Sequence, residues 1–153
     1  MHNLDNIDLQ ILARLQPDAR MSNAALAKEL GMAPSAVLER VRKLEAKGVI
    51  EAYTTQINPL SIDRKLLAFV SIKTATPPGD THISDVLEKV PEIQELHIVA
   101  GEDCLLAKVR TTDAQSLLAL MRDKLGRING VISTKTTIVL QTIKEKNHLV
   151  IPS

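Results

Sequence analysis

The hydrophobic period of the chain changes once, near Gly48, and that change limits the folds open to it. Before this glycine, apolar residues recur at three- and four-residue spacing; after it they alternate. A segment with its apolar side chains on one helical stripe cannot also line one face of a strand. Two differently built parts must therefore share 153 residues, enough for two small domains.

In "LDNIDLQILARLQ", Ile7, Ile11 and Leu15 form an i, i+4, i+8 row flanked by Leu4 and Leu12. Asp5 suits the cap, Asp8 suits the positive end of the dipole, and Pro17 stops the helix. A second helix starts from Ser22 and runs through "NAALAKEL", with Leu26 and Leu30 inward. Gly31 takes the left-handed position after it, and Met32 folds back as the accompanying apolar contact. The third helix begins near "APS", where Pro34 suits the first turn, and ends at Gly48. Three such helices with a tight turn between the last two read as a helix-turn-helix unit. Its core is expected from Ile7, Ile11, Leu15, Leu26, Leu30, Val37, Val41 and Leu44. The β-branched, alternating "VIEAYTTQI" predicts a strand after the third helix, which makes the unit winged, and "NPLS" reads as a linker.

The rest follows a different order. "LLAFVSIKT" predicts a strand that "TPPGDTH" breaks. Ile83, Val86, Leu87 and Val90 mark an amphipathic helix closed by Pro91. "EIQELHIVA" and "CLLAKVRT" predict two strands joined by the tight "GED". Asp113 opens a helix with Ala114, Leu117, Leu118, Met121 and Leu125 inward; "GRING" ends it, and "VISTKTTIVLQTI" predicts a long last strand. The order βαββαβ is that of a ferredoxin-like sandwich, so the fold class is α+β. The expected boundaries are 1–50 for the helix-turn-helix domain, 51–65 for strand and linker, 66–145 for the sandwich and 146–153 for a tail. Both helices cover one face of the sheet. Leu96, Ile98, Leu106, Ile138 and Leu140 are candidates for one face or the other, and an uncovered aliphatic face predicts a partner subunit.

Composition narrows the function classes. Tyr53 and Phe69 are the only aromatic residues, and there is no Trp. That argues against stacking platforms for single-stranded nucleic acid. The lone Cys104 excludes an intramolecular disulfide and a cysteine zinc cluster, and fits a reducing cytoplasm. It reads as a small buried hydrophobe rather than a nucleophile. Histidines 2, 82, 97 and 148 have no metal-ligand spacing, and His97 reads as a hydrogen-bonded structural residue. No Gly-rich phosphate loop, nucleophile elbow or HExxH occurs, so no catalytic residues are proposed. The start, "MHNLDNIDLQ", has no secretion pattern, and no apolar run approaches the roughly 18 residues of a membrane span. These features predict a cytoplasmic, nucleoid-associated protein without membrane contact.

Net charge is only +1, so any case for nucleic acid must rest on local clustering. Projected at about 100° per residue, Val37, Val41 and Leu44 share one side of the third helix. Ser35, Glu39, Arg42, Lys43 and Ala46 lie opposite, with Arg40 and Lys47 on one flank. Taken alone, such a helix is an ordinary solvated face. Three features turn the reading towards double-stranded DNA. Of the seven cations in the first 62 residues, four lie between 40 and 47; the outward residues near the helix start are short or polar; and the helix follows a tight turn after another short helix. Ser35, Ala36 and Glu39 are assigned to base edges, where Glu can accept from cytosine N4. Arg40, Arg42, Lys43 and Lys47 are assigned to phosphates, with guanine an alternative for Arg42. Ser22 and Asn23 are assigned to the DNA backbone. With so few cations per subunit, oligomerisation should supply most of the affinity.

These residues carry a resemblance. "LDNIDLQILARLQPDARMSNAALAKELGMAPSAVLERVRKLEAKGVIEAY", together with "HIVAGEDCLLAKVR" and "STKTTIVLQTIKE", is similar over nearly the whole chain to the Lrp/AsnC family, the leucine- and asparagine-responsive regulators of bacteria and archaea. The resemblance implies a transcriptional regulator that dimerises through its sheet domains and assembles further into octamers or other even multiples. It implies no cofactor but a small effector, most often an amino acid, bound between subunits near the turn joining the second and third strands. On this chain that turn is Gly101, Glu102 and Asp103. By its residues alone it is equally a plain hairpin turn. Under the resemblance, Asp103 receives an α-ammonium group, and Thr134 and Thr136 are hydroxyl partners. Many relatives have an aromatic residue just after the acidic turn, whereas this chain has Cys104 then Leu105, so the effector's identity stays open. Two other readings share the architecture: a sirohaem-decarboxylase-like enzyme, and an effector-independent DNA-compacting protein.

Overall fold

A computed structural model describes residues 4–75, 81–101 and 104–152. The chain divides into two compact units. The first comprises the residues up to Gln56 together with those from Lys144 onward; the second is Ile57–Ile143. The C-terminal tail, expected as a separate segment, thus groups with the helical unit.

That unit contains α1 (Asn6–Leu15), α2 (Asn23–Leu30) and α3 (Pro34–Ala46). Asp5 caps α1 in a reciprocal box: its carboxylate accepts from the Asp8 N–H at 2.9 Å, and the Asp8 carboxylate accepts from the Asp5 N–H at 3.3 Å. The Ser22 hydroxyl accepts from the Ala25 N–H at 3.1 Å and starts α2. Gly31, at φ 65°, ends it in the left-handed region, and the Met32 N–H donates to the Ala27 carbonyl at 2.9 Å. This closure makes the turn into α3 tight. The core is aliphatic: Ile11, Leu15, Leu26, Ala27, Val37, Val41 and Leu44 are buried, while Ile7 and Leu30 pack against them half-exposed. From the tail, the Leu149 carbonyl accepts from the Gln16 amide at 2.7 Å, and the Leu149 N–H donates back to it at 2.6 Å.

The strand expected in "VIEAYTTQI" does not form; residues 51–58 have no regular structure. Gly48, at φ 67°, closes α3 by the same device as Gly31, with the Val49 N–H donating to the Leu44 carbonyl at 2.9 Å. Val49 and Ile50 then pack on the helical core. Val49 and Ile50 are spent on that closing contact, the residues after them are exposed, and among the described residues no strand pairs with this stretch.

The second unit is a four-stranded antiparallel sheet with β1 (Leu66–Thr74), β2 (Ile93–Ile98), β3 (Leu105–Thr111) and β4 (Val131–Ile138), in the order β2-β3-β1-β4. Helices α4 (Thr81–Glu88) and α5 (Ala114–Ala119) complete the βαββαβ order. Ala68, Val70 and Ile72 of β1 and Leu105, Ala107 and Val109 of β3 form the sheet side of the core. Ile83, Leu87 and Val90 face them from α4 and just beyond it. Among the described residues, no helix is long and apolar enough to cross a membrane.

Four expectations about faces change, the first at Ala114, expected inward but exposed. Val86 of α4 is exposed. In the last helix, Leu120 is buried where regular spacing predicts Leu118, and Leu118 is 62% exposed. Leu120 follows the buried Leu117 by three residues, one helical turn, and the turn then widens: Leu120–Lys124 is π-helical, and the Leu125 N–H reaches back to the Leu120 carbonyl. A five-residue step then brings both Leu120 and Leu125 inward. Lastly, the sheet's open face is mixed rather than aliphatic throughout. Leu96 pairs with Ala107, Ile98 with Leu105 and Ile138 with Ala68, all in register with the helix-facing row. Leu140 lies past the end of β4. The open face carries Leu67, Phe69, Ser71 and Lys73 with Leu106, Lys108, Arg110, Glu95 and His97, and Lys108 pairs with Glu95 at 2.8 Å.

The π turn yields a direct check. Leu125→Ala should lower unfolding stability by about 2–5 kcal/mol, whereas Leu118→Ala should stay within about 0.5 kcal/mol of the parent. Equal losses in urea titrations would put the regular-helix face back in the core.

Candidate nucleic-acid interface

Three stacked positions fix how α3 lies. Val37, Val41 and Leu44 are 0%, 6% and 2% exposed, so the opposite side of the helix must face outward. Ser35, Glu39, Arg42, Lys43 and Lys47 are all exposed there, and Ala36 is half-buried. The short residues sit in the first turn and the cations follow in the later ones.

These charges are not equally available. Among the described residues, Arg42 and Lys47 make no ion pair. Lys43 pairs with Glu39 at 2.7 Å across one helical turn, both side chains being about two-thirds exposed. The Lys43 ammonium holds the Glu39 carboxyl below the usual carboxylate range. Exposed pairs of this kind are weak and are given up at little cost. Arg40 differs. Its Nη1 donates to Asp5 Oδ2 at 2.6 Å and to Asp8 Oδ1 at 2.7 Å, and the Asp8 side chain is only 16% exposed. The Asp8 N–H first, and then the Arg40 guanidinium, hold the Asp5 carboxyl low; the same two aspartates push Arg40 up. The residue assigned to a phosphate is thus engaged by the start of α1. Sequence spacing gave no sign of this, because residues 5, 8 and 40 meet only once the helices pack. A surface groove of about 390 Å³ runs here, lined in part by Asp5, Asp8, Arg40, Glu39, Lys43 and Lys47.

At the N-terminus of α2, Ser22 is exposed with its hydroxyl taken by the cap, and Asn23 is half-buried. At the other end of α3, the Tyr53 hydroxyl donates to Glu45 Oε1 at 2.8 Å. Partial burial, and then the Glu45 carboxylate, push the Tyr53 phenol up to about 12. This tie between the chain leaving the unit and α3 was also not legible in the sequence.

In the second unit, Gly101 is exposed at φ 149°, a backbone conformation that side chains disfavour. Glu102 and Asp103 lie outside the described residues. Thr134 and Thr136 are exposed on β4, opposite Ile72 and Val70 and so on the helix-facing row. Leu105, Ile72 and Thr134 share one row across the sheet, which places Thr134 at the end of the sheet where β3 begins. Strand β1 intervenes, leaving roughly 10 Å between β3 and β4. Cys104 is buried, with Sγ 2.8 Å from the Thr74 hydroxyl. His97 is exposed on the open face, 3.5 Å from Glu95. Among the described residues no three His, Cys, Asp or Glu side chains gather as a metal site.

The AsnC-type helix-turn-helix domain matches residues 4–45, and the Lrp/AsnC ligand binding domain matches residues 67–149. The leucine-responsive regulatory protein of Escherichia coli (strain K12) is 40% identical over 151 residues, covering 97% of this chain and 92% of that protein. The chain belongs to the Lrp/AsnC family. Among solved structures, a transcriptional regulator of Neisseria meningitidis in complex with L-Met is similar, with a TM-score of 0.91, 27% identity and 97% coverage of both chains. The feast or famine regulatory protein of M. tuberculosis complexed with L-methionine has a TM-score of 0.89 and 34% identity, covering 98% of this chain and 100% of that one. As a member of the Lrp/AsnC family, the protein is a helix-turn-helix transcriptional regulator. The proteins it matches nearly end to end regulate transcription, so the enzyme reading is set aside.

Tyr53 is the only tyrosine and Trp is absent, so phenolate absorbance reports this one contact. The midpoint should lie near about 12, against an ordinary value of 10.0. The fold favours the neutral phenol, so the contact adds stability below pH 10 and loses it as pH rises towards about 12. Glu45→Gln should bring the midpoint only part of the way down, because burial is the larger push. An unshifted midpoint in the parent would show that the tie is not held.

Proposed function

We propose that α3 enters the major groove of double-stranded DNA, with Ser35, Ala36 and Glu39 towards base edges and Arg42, Lys43 and Lys47 towards phosphates. The observation carrying this reading is the pairing of a fully buried inward row with outward cations that are free or weakly held. Ser22 and Asn23 meet the DNA backbone beside the tight turn. Arg40 is left out of the phosphate set, because two aspartates already hold it. A homodimer presents two such helices to half-sites about 34 Å apart or a multiple of it. Assembly into octamers or other even multiples adds affinity by multivalency. The uncovered sheet face, with Phe69 and Leu106 among charged neighbours, supports a mixed rather than purely apolar subunit contact.

The effector is an amino acid, and L-methionine leads the candidates because similar regulators have been solved with it bound. Gly101, Glu102 and Asp103 receive it, with Asp103 on the α-ammonium group and Thr134 and Thr136 as hydroxyl partners. Because about 10 Å separates β3 from β4 within one chain, the turn and the threonines are best brought to one ligand by two subunits. The effector acts by binding one assembly or one orientation of the DNA-binding units more tightly than another; equal affinity would shift nothing. The protein works in the cytoplasm at the nucleoid.

On a labelled duplex, Arg42→Ala with Lys47→Ala should flatten the slope of log K against log salt by about 0.9 for each phosphate left unneutralised. An unchanged slope and affinity would remove α3 from the interface. In thermal-shift measurements, L-methionine or another of the twenty amino acids should raise the melting point, and Asp103→Ala should abolish the rise while apo DNA binding persists. Undiminished calorimetric affinity in that variant would take Asp103 out of the site.

A further inference from the structure

We infer that Arg40 is a positioning residue for DNA binding: it holds and neutralises the Asp5–Asp8 pair beside α3 without touching a phosphate. The inference rests on the α3 reading above. Its starting point is the groove that joins two sets of residues. Ala36, Glu39, Lys43 and Lys47, all assigned to DNA, line it together with Asp5, Asp8 and Arg40. Its charged lining is balanced at three acidic and three basic side chains, and Arg40 is what balances it. One guanidinium nitrogen bonds a carboxylate oxygen from each aspartate, at 2.6 and 2.7 Å.

The aspartates cannot simply be absent. Asp5 and Asp8 form the capping box that starts α1, satisfying two N–H groups there. The fold thus places two carboxylates along the groove that the DNA-facing residues also line. Within a screening length of about 8–10 Å, uncompensated carboxylates there oppose the Lys43 and Lys47 ammonium groups and repel a polyanion. Arg40 cancels that repulsion from inside the protein. Reaching from α3 to the first turn of α1, it also links the DNA-facing helix to its support.

The test uses the full chain and a fluorescein-labelled random-sequence duplex, with anisotropy read at several salt concentrations. Arg40→Ala should weaken binding by on the order of tenfold while the salt slope stays as steep as in the parent. Adding Asp5→Asn and Asp8→Asn to Arg40→Ala should restore most of the affinity, although the ion pairs are still missing; a merely structural clamp would not recover in this way. Asn retains the capping ability of position 5. Arg40→Lys, which keeps the charge and tolerates the fold, should bind within a few-fold of the parent. A slope flatter by about 0.9 in Arg40→Ala, with no recovery from the asparagines, would make Arg40 a phosphate ligand and overturn the inference. Unchanged affinity in Arg40→Ala, or a loss in Arg40→Lys equal to that in Arg40→Ala, would overturn it too. A parent protein with no salt-dependent binding would sink the DNA reading and this inference together, whereas a steep parent slope with the wrong variant pattern sinks the inference alone.

Discussion

Burial of Val37, Val41 and Leu44 against Ile11, Leu15 and Leu26 decides which way α3 faces. A chain with one Tyr, one Phe and no Trp has only branched aliphatic side chains with which to build this contact. Each contributes modestly, so the row works by spacing: three residues on one helical stripe leave a single outward orientation. The two glycine closures, at Gly31 and Gly48, then limit where the helix can begin and end. Without them the outward residues would not follow so tight a turn, and the cations would not be gathered on one short, supported rod.

Electrostatics act on top of this frame and sort the charges by burial. Arg40 lies on the flank of α3 nearest α1 and meets two carboxylates whose own duty is to cap that helix. Lys43 lies further round and finds only the exposed Glu39. Arg42, on the solvent side, and Lys47, on the flank of Arg40 but about two turns further along and past the end of α3, find no ion-pair partner among the described residues. Chemically similar cations thus differ in availability through their rotation about the helix, about 100° per residue, and through their distance along it from the Asp5–Asp8 pair. The same logic holds at Tyr53, where a hydroxyl otherwise free in solution is held by Glu45.

The sheet unit shows how one backbone irregularity moves a face. Leu117 and Leu120 turn inward one helical turn apart and leave Leu118 outside, and one π turn then carries the buried row five residues on to Leu125. The alternation of β1 and β3 turns Ala68, Val70, Ile72, Leu105, Ala107 and Val109 towards the helices, and a mixed set with Leu67, Phe69, Leu106, Lys108 and Glu95 faces away.

The sequence by itself determined the helix-turn-helix and βαββαβ orders, both glycine stops, the Asp5, Ser22 and Asp113 caps, and the inward row of α3. These are encoded by spacing and by residues acting on neighbours within four or five positions, so a linear reading reaches them. Tertiary structure alone decided the partners of Arg40, the tie between Glu45 and Tyr53, and the hold of Gln16 on Leu149. It also decided that, among the described residues, "VIEAYTTQI" joins no strand ladder. Each depends on groups far apart in sequence, or on whether a neighbouring strand exists at all, and an ion pair or a ladder has no period along the chain. The pattern showed which side of α3 is outward, but only packing showed which of its cations remain available.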